Sequence, residues 1–353
     1  MKLKTISAAL LVAILWIGFF AGTSSLKAQD PQFSQFYSAP LYLNPGFAGS
    51  TQQGRVGANY RNQWPAIDNA TFVTMSAYVD YFFDDYNSGV GLLVMGDRQG
   101  HGRLRSNSVA LQYAYQVPLT EELTLRPGIE VGYVLRDIDY TRFVFGDQYD
   151  PTSLNPGNGL PPTGELGGTD MVHYADIGLG GLLYSSNFWI GLAAHHLTEP
   201  DQAFYEEGQS KLPRKLSAHA GYKFKLKPVT SKRGYKLTVR ERSLTPSVLY
   251  KSQGDFDQLD AGLYYTHEPL VVGVWYRGLP FKPLEGINNN ESAIFLIGFS
   301  QNNLNIGYSF DYTISKLGID SGGAHEVSIS YEFSLADPRK PPKNIRRIPC
   351  PRF

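Results

Sequence analysis

His195 and His196 are the one adjacent pair among the chain's seven histidines, and imidazole is both a common metal ligand and a general base. Neighbouring residues of a strand point to opposite faces, so the pair is expected to chelate poorly. Asp255-x-Asp257-x-x-Asp260 could gather carboxylates around a hard cation such as Ca²⁺. A hairpin turn beside a strand accounts for that spacing equally well. Gly178-Leu-Gly-Gly181 is glycine-rich but sits in an alternating segment, where it reads as packing rather than as a phosphate cradle. The chain has no Gly-x-Ser-x-Gly elbow, no phosphate loop and no His-Glu-x-x-His. Its single cysteine, Cys350, excludes a disulfide framework and a cysteine-based zinc or iron–sulfur site. In an oxidising compartment it would be a free thiol or half of an intermolecular disulfide. Glu130, Asp176, Glu326 and Glu332 are dispersed, with Arg126, Arg136 and Lys223 available to neutralise them. No enzyme, cofactor or metal is expected from this set.

The elements that would have to position such groups are strands. Of 353 residues, 36 are Gly, 23 Tyr and 20 Phe, while charged residues make up only 18 %. That mixture suits a large all-β protein better than an average soluble domain. The 32 Lys+Arg balance the 32 Asp+Glu, against the basic excess of a nucleic-acid binder. The mean hydropathy of −0.24 argues against a bundle of membrane helices. At the start, Lys2 and Lys4 precede an apolar run from Ile6 to Phe20, followed by small and polar residues to Ala28. This is the order of a secretory signal peptide, 1–28, cleaved after Ala28. The run is shorter than the roughly 20 residues of a spanning helix, which speaks against an uncleaved anchor. Without Lys2, Lys4 and Lys27 the mature chain has 29 basic against 32 acidic residues.

From about residue 55 to 334 the hydropathy period is two. Leu304, Ile306, Tyr308, Phe310, Tyr312 and Ile314 alternate with Asn305, Gly307, Ser309, Asp311 and Thr313. The same reading gives strands at 55–61, 71–82, 89–95, 103–117, 124–145, 171–185, 187–197, 213–225, 244–252, 256–266, 270–279, 291–299, 304–314 and 325–333. Fourteen is an even number, and these lengths fit an all-β transmembrane antiparallel barrel. A soluble sandwich also alternates, but no dry core would accept the Asp, Glu, Gln and His of the second face unpaired. Tyr60, Tyr81, Phe145, Trp189 and Phe224 near strand ends suggest an interfacial girdle. With the mature N-terminus in the periplasm, long links at 146–170, 198–212, 280–290 and 315–324 face outward and most tight turns face inward. The exception is 226–243, a basic periplasmic link with room for a missed strand near 234–240.

The flanks follow a different rule. Residues 29–54 hold three prolines among aromatics, unsuited to a central strand or a solvated linker. They are expected to pack in the lumen or under its periplasmic mouth, as a plug. Residues 335–353 form a basic, Pro-rich tail expected to hang in the periplasm in extended form. Lys232, Arg233 and Lys236 of the long link, with Arg339, Lys340, Lys343, Arg346, Arg347 and Cys350 of the tail, are the candidate contacts for a periplasmic partner. Their charge calls for an acidic protein surface or an anionic polymer.

Three short motifs carry a family resemblance: Asp30-Pro31-x-Phe33-Ser34-Gln35-Phe36, Leu43-Asn44-Pro45-Gly46-x-Ala48-Gly49 and Arg61-x-Gln63-Trp64-Pro65. Together they resemble the PorP/SprF outer-membrane proteins of the type IX secretion and gliding systems. The family usually has Ala where Gly46 stands. The resemblance implies a non-enzymatic barrel, exported through the Sec route and seated in outer-membrane lipid. It further implies a role in exporting a large secreted adhesin-like protein, in anchoring it at the surface through its C-terminal sorting domain, or in linking the membrane to periplasmic type IX components or peptidoglycan-binding proteins. The alternative is a porin or solute transporter, suggested by the polar lumen face.

Overall fold

Strands that alternate apolar and polar residues over ten or more positions can satisfy their backbone in a membrane only by closing on themselves. The computed structural model shows such a closure. It describes residues 30–67, 72–100, 104–139, 170–204, 209–233, 236–284, 287–315, 318–334 and 347–353. The signal-peptide segment, the bulk of the link at 146–170 and residues 335–346 lie outside the described residues, as does Phe145 of the expected girdle. Pro31–Phe353 form one unit, and the description below concerns that unit.

Fourteen antiparallel strands form the wall: β1 (Gly54–Gln63), β2 (Phe72–Phe83), β3 (Ser88–Gln99), β4 (Leu104–Tyr115), β5 (Thr124–Asp137), β6 (Met171–Tyr184), β7 (Phe188–His195), β8 (Lys215–Tyr222), β9 (Arg242–Gln253), β10 (Phe256–His267), β11 (Leu270–Leu284), β12 (Ile287–Gln301), β13 (Leu304–Thr313) and β14 (Ala324–Phe333). Each pairs with its sequence neighbours. The ring closes where β1 meets β14, from Gly54 opposite Phe333 to Gln63 opposite Ala324. All fourteen expected segments are present. Most of the expected link at 280–290 is instead strand: β11 runs to Leu284 and β12 starts at Ile287, with register irregularities after Arg277 and Leu279, and 285–286 lie outside the described residues.

The two ends differ. At one end β2–β3, β6–β7, β10–β11 and β12–β13 are joined by tight links; at the other lie the long links between β5 and β6, β7 and β8, and β13 and β14. The tight end has one long link too, between β8 and β9. There Val229–Arg233 and Lys236–Arg240 pair as a separate two-stranded hairpin, the strand expected near 234–240.

The wall is inverted relative to a soluble protein. On β4, Leu111 is 61 % exposed on the outside while its neighbour Gln112 is 2 % exposed inside. Val109 and Tyr113 continue the outer apolar face, as Ile306, Tyr308 and Tyr312 do on β13. Tyr60 and Phe224 face outward. Trp189 does not: it is fully buried on the lumen side, because its position on β7 has the inward parity of Gly191, Ala193 and His195. It belongs to the core and not to the girdle.

That core is inside the barrel. Residues 31–53 cross the lumen as a chain of turns: one helical turn at Pro40–Leu43, then a 3₁₀ turn at Pro45–Phe47. Proline at the first position of each turn suits a site with no N–H to satisfy. Asn44 caps the second turn, its side chain accepting from the Gly46 N–H at 2.8 Å. Phe33, Phe36, Tyr37, Leu41 and Phe47 are buried against Leu182, Trp189, Leu249, Tyr264 and Trp275 of the wall.

The tail departs from its expected course. Residues 347–353 do not hang free. Ile348 and Phe353 are buried in the same core, and the Ser38 hydroxyl donates to the Phe353 carbonyl at 3.1 Å. The apolar side chains that end the basic segment gain more from the filled lumen than from water.

Candidate functional site

The site is the seam between plug and wall, and it is built from inward-facing charges. Arg61 on β1 bonds Asp311 of β13 at 2.9 Å and Glu326 of β14 at 3.2 Å. Arg277 on β11 bonds the same Asp311 at 3.1 Å and Asp260 of β10 at 2.9 Å. Lys251 on β9 stands 3.9 Å from Asp260. Glu291 of β12 stands 3.8 Å from Arg277, so three cations face four carboxylates; the two arginines, Asp260, Asp311 and Glu326 are buried. Charges so placed are tolerated only when each has a counterion and its remaining hydrogen bonds are made.

The plug makes those remaining bonds. Glu326 accepts the backbone N–H of Ser34 at 2.7 Å and of Gln35 at 3.0 Å. The Ser34 hydroxyl donates to Asp311 at 2.6 Å and accepts from Arg61 at 2.8 Å and Arg277 at 3.0 Å. The Gln35 amide donates to the Glu326 carbonyl at 2.9 Å and its oxygen accepts from Ser328 at 2.7 Å. The Ser-Gln pair is therefore a polar key fitted to four strands of the wall.

The second motif is gripped on the opposite side. Asn44 donates to the carbonyls of Gly181 at 3.2 Å and Leu192 at 2.9 Å. Arg126, expected to neutralise a carboxylate, instead donates to plug carbonyls, to Gly46 at 3.2 Å and to Ala48. The Gly49 N–H donates to Asp80 at 2.8 Å, and Asp80 is held by Arg55 at 2.8 Å. The turn fits because the wall has no side chain there: a Cβ on Gly180 would stand 2.3 Å from Asn44 Oδ1, and one on Gly46 itself 2.8 Å from the Arg126 carbonyl. That contact gives the physical reason for glycine at 46. Gly180→Val is expected to unseat the turn, since such overpacking costs about 1–3 kcal/mol. Limited chymotrypsin digestion of the folded barrel should then cut within 33–47 at least about tenfold faster than in the parent chain.

Aromatic contacts lock the middle. Phe36 meets Trp275 edge-on at 4.9 Å, Trp189 donates to the Tyr37 hydroxyl at 3.0 Å, and Phe47 stacks on His219 at 5.6 Å. Phe33 meets Tyr42 edge-on at 5.6 Å, and Tyr42 in turn donates to the Pro31 carbonyl. Of the third motif, Gln63 accepts from Arg61 at 3.3 Å and so joins the charge network. Trp64 lies at the long-loop rim, edge-on to Phe72 at 5.3 Å.

The other expected groups fall as follows. His195 and His196 both turn inward, to Glu130 at 3.2 Å and Asp176 at 2.8 Å. The opposite-face expectation fails because β7 ends at His195 and His196 has a left-handed backbone, φ 56°. Asp255, Asp257 and Asp260 do not converge: Asp260 is committed to Arg277 and Asp257 accepts from Tyr250 at 2.9 Å. Among the described residues no group of three His, Cys, Asp or Glu side chains could hold a metal. Lys232, Arg233 and Lys236 lie on the hairpin at the tight-turn end. Arg339, Lys340, Lys343 and Arg346 lie outside the described residues. Arg347 is held by Glu332 at 3.2 Å, and Cys350 packs against the core, where burial pushes its thiol up. Both are thus in contact with the barrel interior. Arg277, Arg55 and Asp80 are site residues that the sequence does not single out. Their signal is a charged residue on the polar parity of a strand, next to others of opposite sign only after folding.

Residues 25–331 match the family described as type IX secretion system membrane protein PorP/SprF. The chain belongs to this family. The three motifs of the PorP/SprF resemblance are thus, in the structure, chiefly the plug and the wall residues that grip it. No curated protein matches the chain. Among solved structures it is similar to Omp33 of Acinetobacter baumannii, at 9 % identity over 81 % of this chain and 100 % of that one, with a TM-score of 0.42. It is also similar to the P. putida toluene transporter TodX, at 10 % identity over 84 % of this chain and 94 % of that one, with a TM-score of 0.40. A KdgM porin matches at 9 % identity over 78 % and 99 %, with a TM-score of 0.34.

Proposed function

We propose that this PorP/SprF barrel is a non-enzymatic scaffold of type IX secretion rather than a conduit. It helps export a large secreted surface protein or holds it at the cell surface, and it couples the outer membrane to periplasmic components. The observation that carries this reading is the occupied lumen. Residues 31–53 and 347–353 fill it, and the plug is bonded to β1, β2, β5, β6, β7, β11, β13 and β14 through the contacts above. A wall whose inward charges are spent on its own plug is arranged to hold a shape, whereas a porin of this strand number would line water with them.

Short turns face the periplasm in outer-membrane barrels, which places the long links outside and the basic hairpin inside. The secreted partner, recognised through its C-terminal sorting domain, would meet the long links. The periplasmic partner would meet the hairpin, with an acidic surface or an anionic polymer as its complement. Export through the Sec route with cleavage after Ala28 belongs to the same reading, and the mass of the purified mature chain reads the cleavage point.

Gentle-detergent capture of the tagged barrel from its native membrane, read by mass spectrometry, tests this. Stoichiometric recovery of one large surface protein supports anchoring, and recovery of periplasmic components supports a machine part. A lone barrel with open conductance would instead favour the porin. Reversing charge at Lys232, Arg233 and Lys236 to Glu is expected to cut recovery of the periplasmic partner about tenfold or more, an effect that moderate salt mimics in the parent chain. Equal recovery from the reversed hairpin would remove it as the contact.

A further inference from the structure

The outer surface of the wall carries one cleft that departs from its apolar belt. Strand register lines up residues of β2 to β5 in rungs. Val73 is opposite Arg98, Arg98 opposite Arg105, and Arg105 opposite Asp137. By parity all four face outward, at the long-loop end. The next rung toward the middle is Met75, Gly96, Asn107 and Leu135, and the one after it, Ala77, Val94, Val109 and Tyr133, is apolar or aromatic throughout. Val73, Arg98, Arg105 and Asp137 of the upper rung and Met75, Gly96 and Asn107 of the next, with Asp97 between them, line a cleft of about 350 Å³.

Its charge is unbalanced. Like charges directly opposite on neighbouring strands repel, and here two outward guanidiniums share one outward carboxylate, Asp137; the Asp97 carboxylate has the inward parity and accepts from Thr74 at 2.6 Å and Gln99 at 2.6 Å. Arg105 is bonded to Asp137; Arg98 has no ion-pair or hydrogen-bond partner among the described residues. Directly below, Gly96 leaves a gap: a Cβ there would touch only Asn107 Oδ1, at 3.3 Å. A pair of guanidiniums above an apolar slot, at the level where a membrane-facing belt ends, has the form of a receptor for an amphiphile with an anionic head. Guanidinium forks match phosphate in geometry as well as in charge.

We propose that this cleft binds a phosphorylated glycolipid of the outer leaflet, with Arg98 and Arg105 holding its phosphate and the gap at Gly96 seating an acyl chain. The phosphate supplies the charge that Asp137 alone does not. The acyl chain replaces the missing Gly96 side chain in the belt.

The test uses the full mature chain, purified in detergent, stripped of lipid and titrated with diphosphoryl lipid A under native mass spectrometry. One lipid A per barrel is expected, with retention falling about tenfold or more in Arg98→Gln/Arg105→Gln and for lipid A stripped of its phosphates. Gly96→Leu, which leaves the charges in place, should lower lipid A retention by a similar factor. Inorganic phosphate at millimolar concentration should fail to displace the lipid, and displacement would reassign the cleft to a free anion. Retention unchanged in the double variant, with its folded gel mobility intact, overturns the proposal.

Discussion

A chain lacking residues 31–53 is expected to open stepwise conductance in planar bilayers, where the parent barrel stays silent. The wall does not need the plug to close. Its backbone is paired from β1 round to β14, and Arg61, Arg277 and Arg55 bond to wall carboxylates on their own account. Removing the plug leaves Arg126, Asp80, Asp311 and Glu326 lining an empty lumen, which water would enter. Because Phe353 and Ile348 also occupy the core, a second chain lacking both 31–53 and 335–353 should conduct more than the first. Steady conductance in the parent chain equal to that of the deletions would show that the plug does not seal, and would return the porin reading.

Arg61→Met is expected to be the most destabilising single change in the wall. Among the described residues it leaves Asp311 with Arg277 alone, and strips Glu326 of the one guanidinium that bonds it. Breaking a buried pair by removing one partner costs about 3–5 kcal/mol, because the other charge stays buried. Urea unfolding in detergent, followed by the shift between folded and unfolded gel mobility, reads that loss. Arg61→Met combined with Glu326→Gln should recover part of it, since the stranded charge goes too. Arg105→Gln is the control: its pair with Asp137 is on the surface, and its loss should cost less than about 1 kcal/mol. Equal effects at Arg61 and Arg105 would mean the buried network contributes nothing special.

Most of the architecture was legible because lipid enforces a simple rule. Each stave must put an apolar residue outward at every second position, so Leu304 to Ile314 could be read by eye, and the count of fourteen followed. The leader was legible for a related reason: three prolines among aromatics fit neither strand nor solvent. Its partners were not. Ser34 and Glu326 are separated by 292 residues, and nothing local in either marks the other. Trp189 shows the limit of reading aromatics near strand ends as girdle residues, since parity and not type decides the face. His196 shows the limit of parity, which lapses one residue past the strand. The tail misled because charge and proline dominate its composition, while the residues that place its end are Ile348 and Phe353. An apolar residue closing a basic segment was the available signal.

The position of the plug's polar key bears on how the barrel comes to exist at all. Ser34 and Gln35 bond to Glu326 on the last stave and Arg61 on the first, the two strands whose pairing shuts the ring. The last stave to be synthesised therefore finds two of the N–H donors for its buried carboxylate on the segment that precedes the first stave. Closure over a seated plug completes that carboxylate's hydrogen bonds; closure over a bare lumen leaves it Arg61 and stray water. The ring is thus biased to shut already stoppered, so that assembling a fourteen-stave cylinder need never breach the permeability barrier of the membrane that receives it.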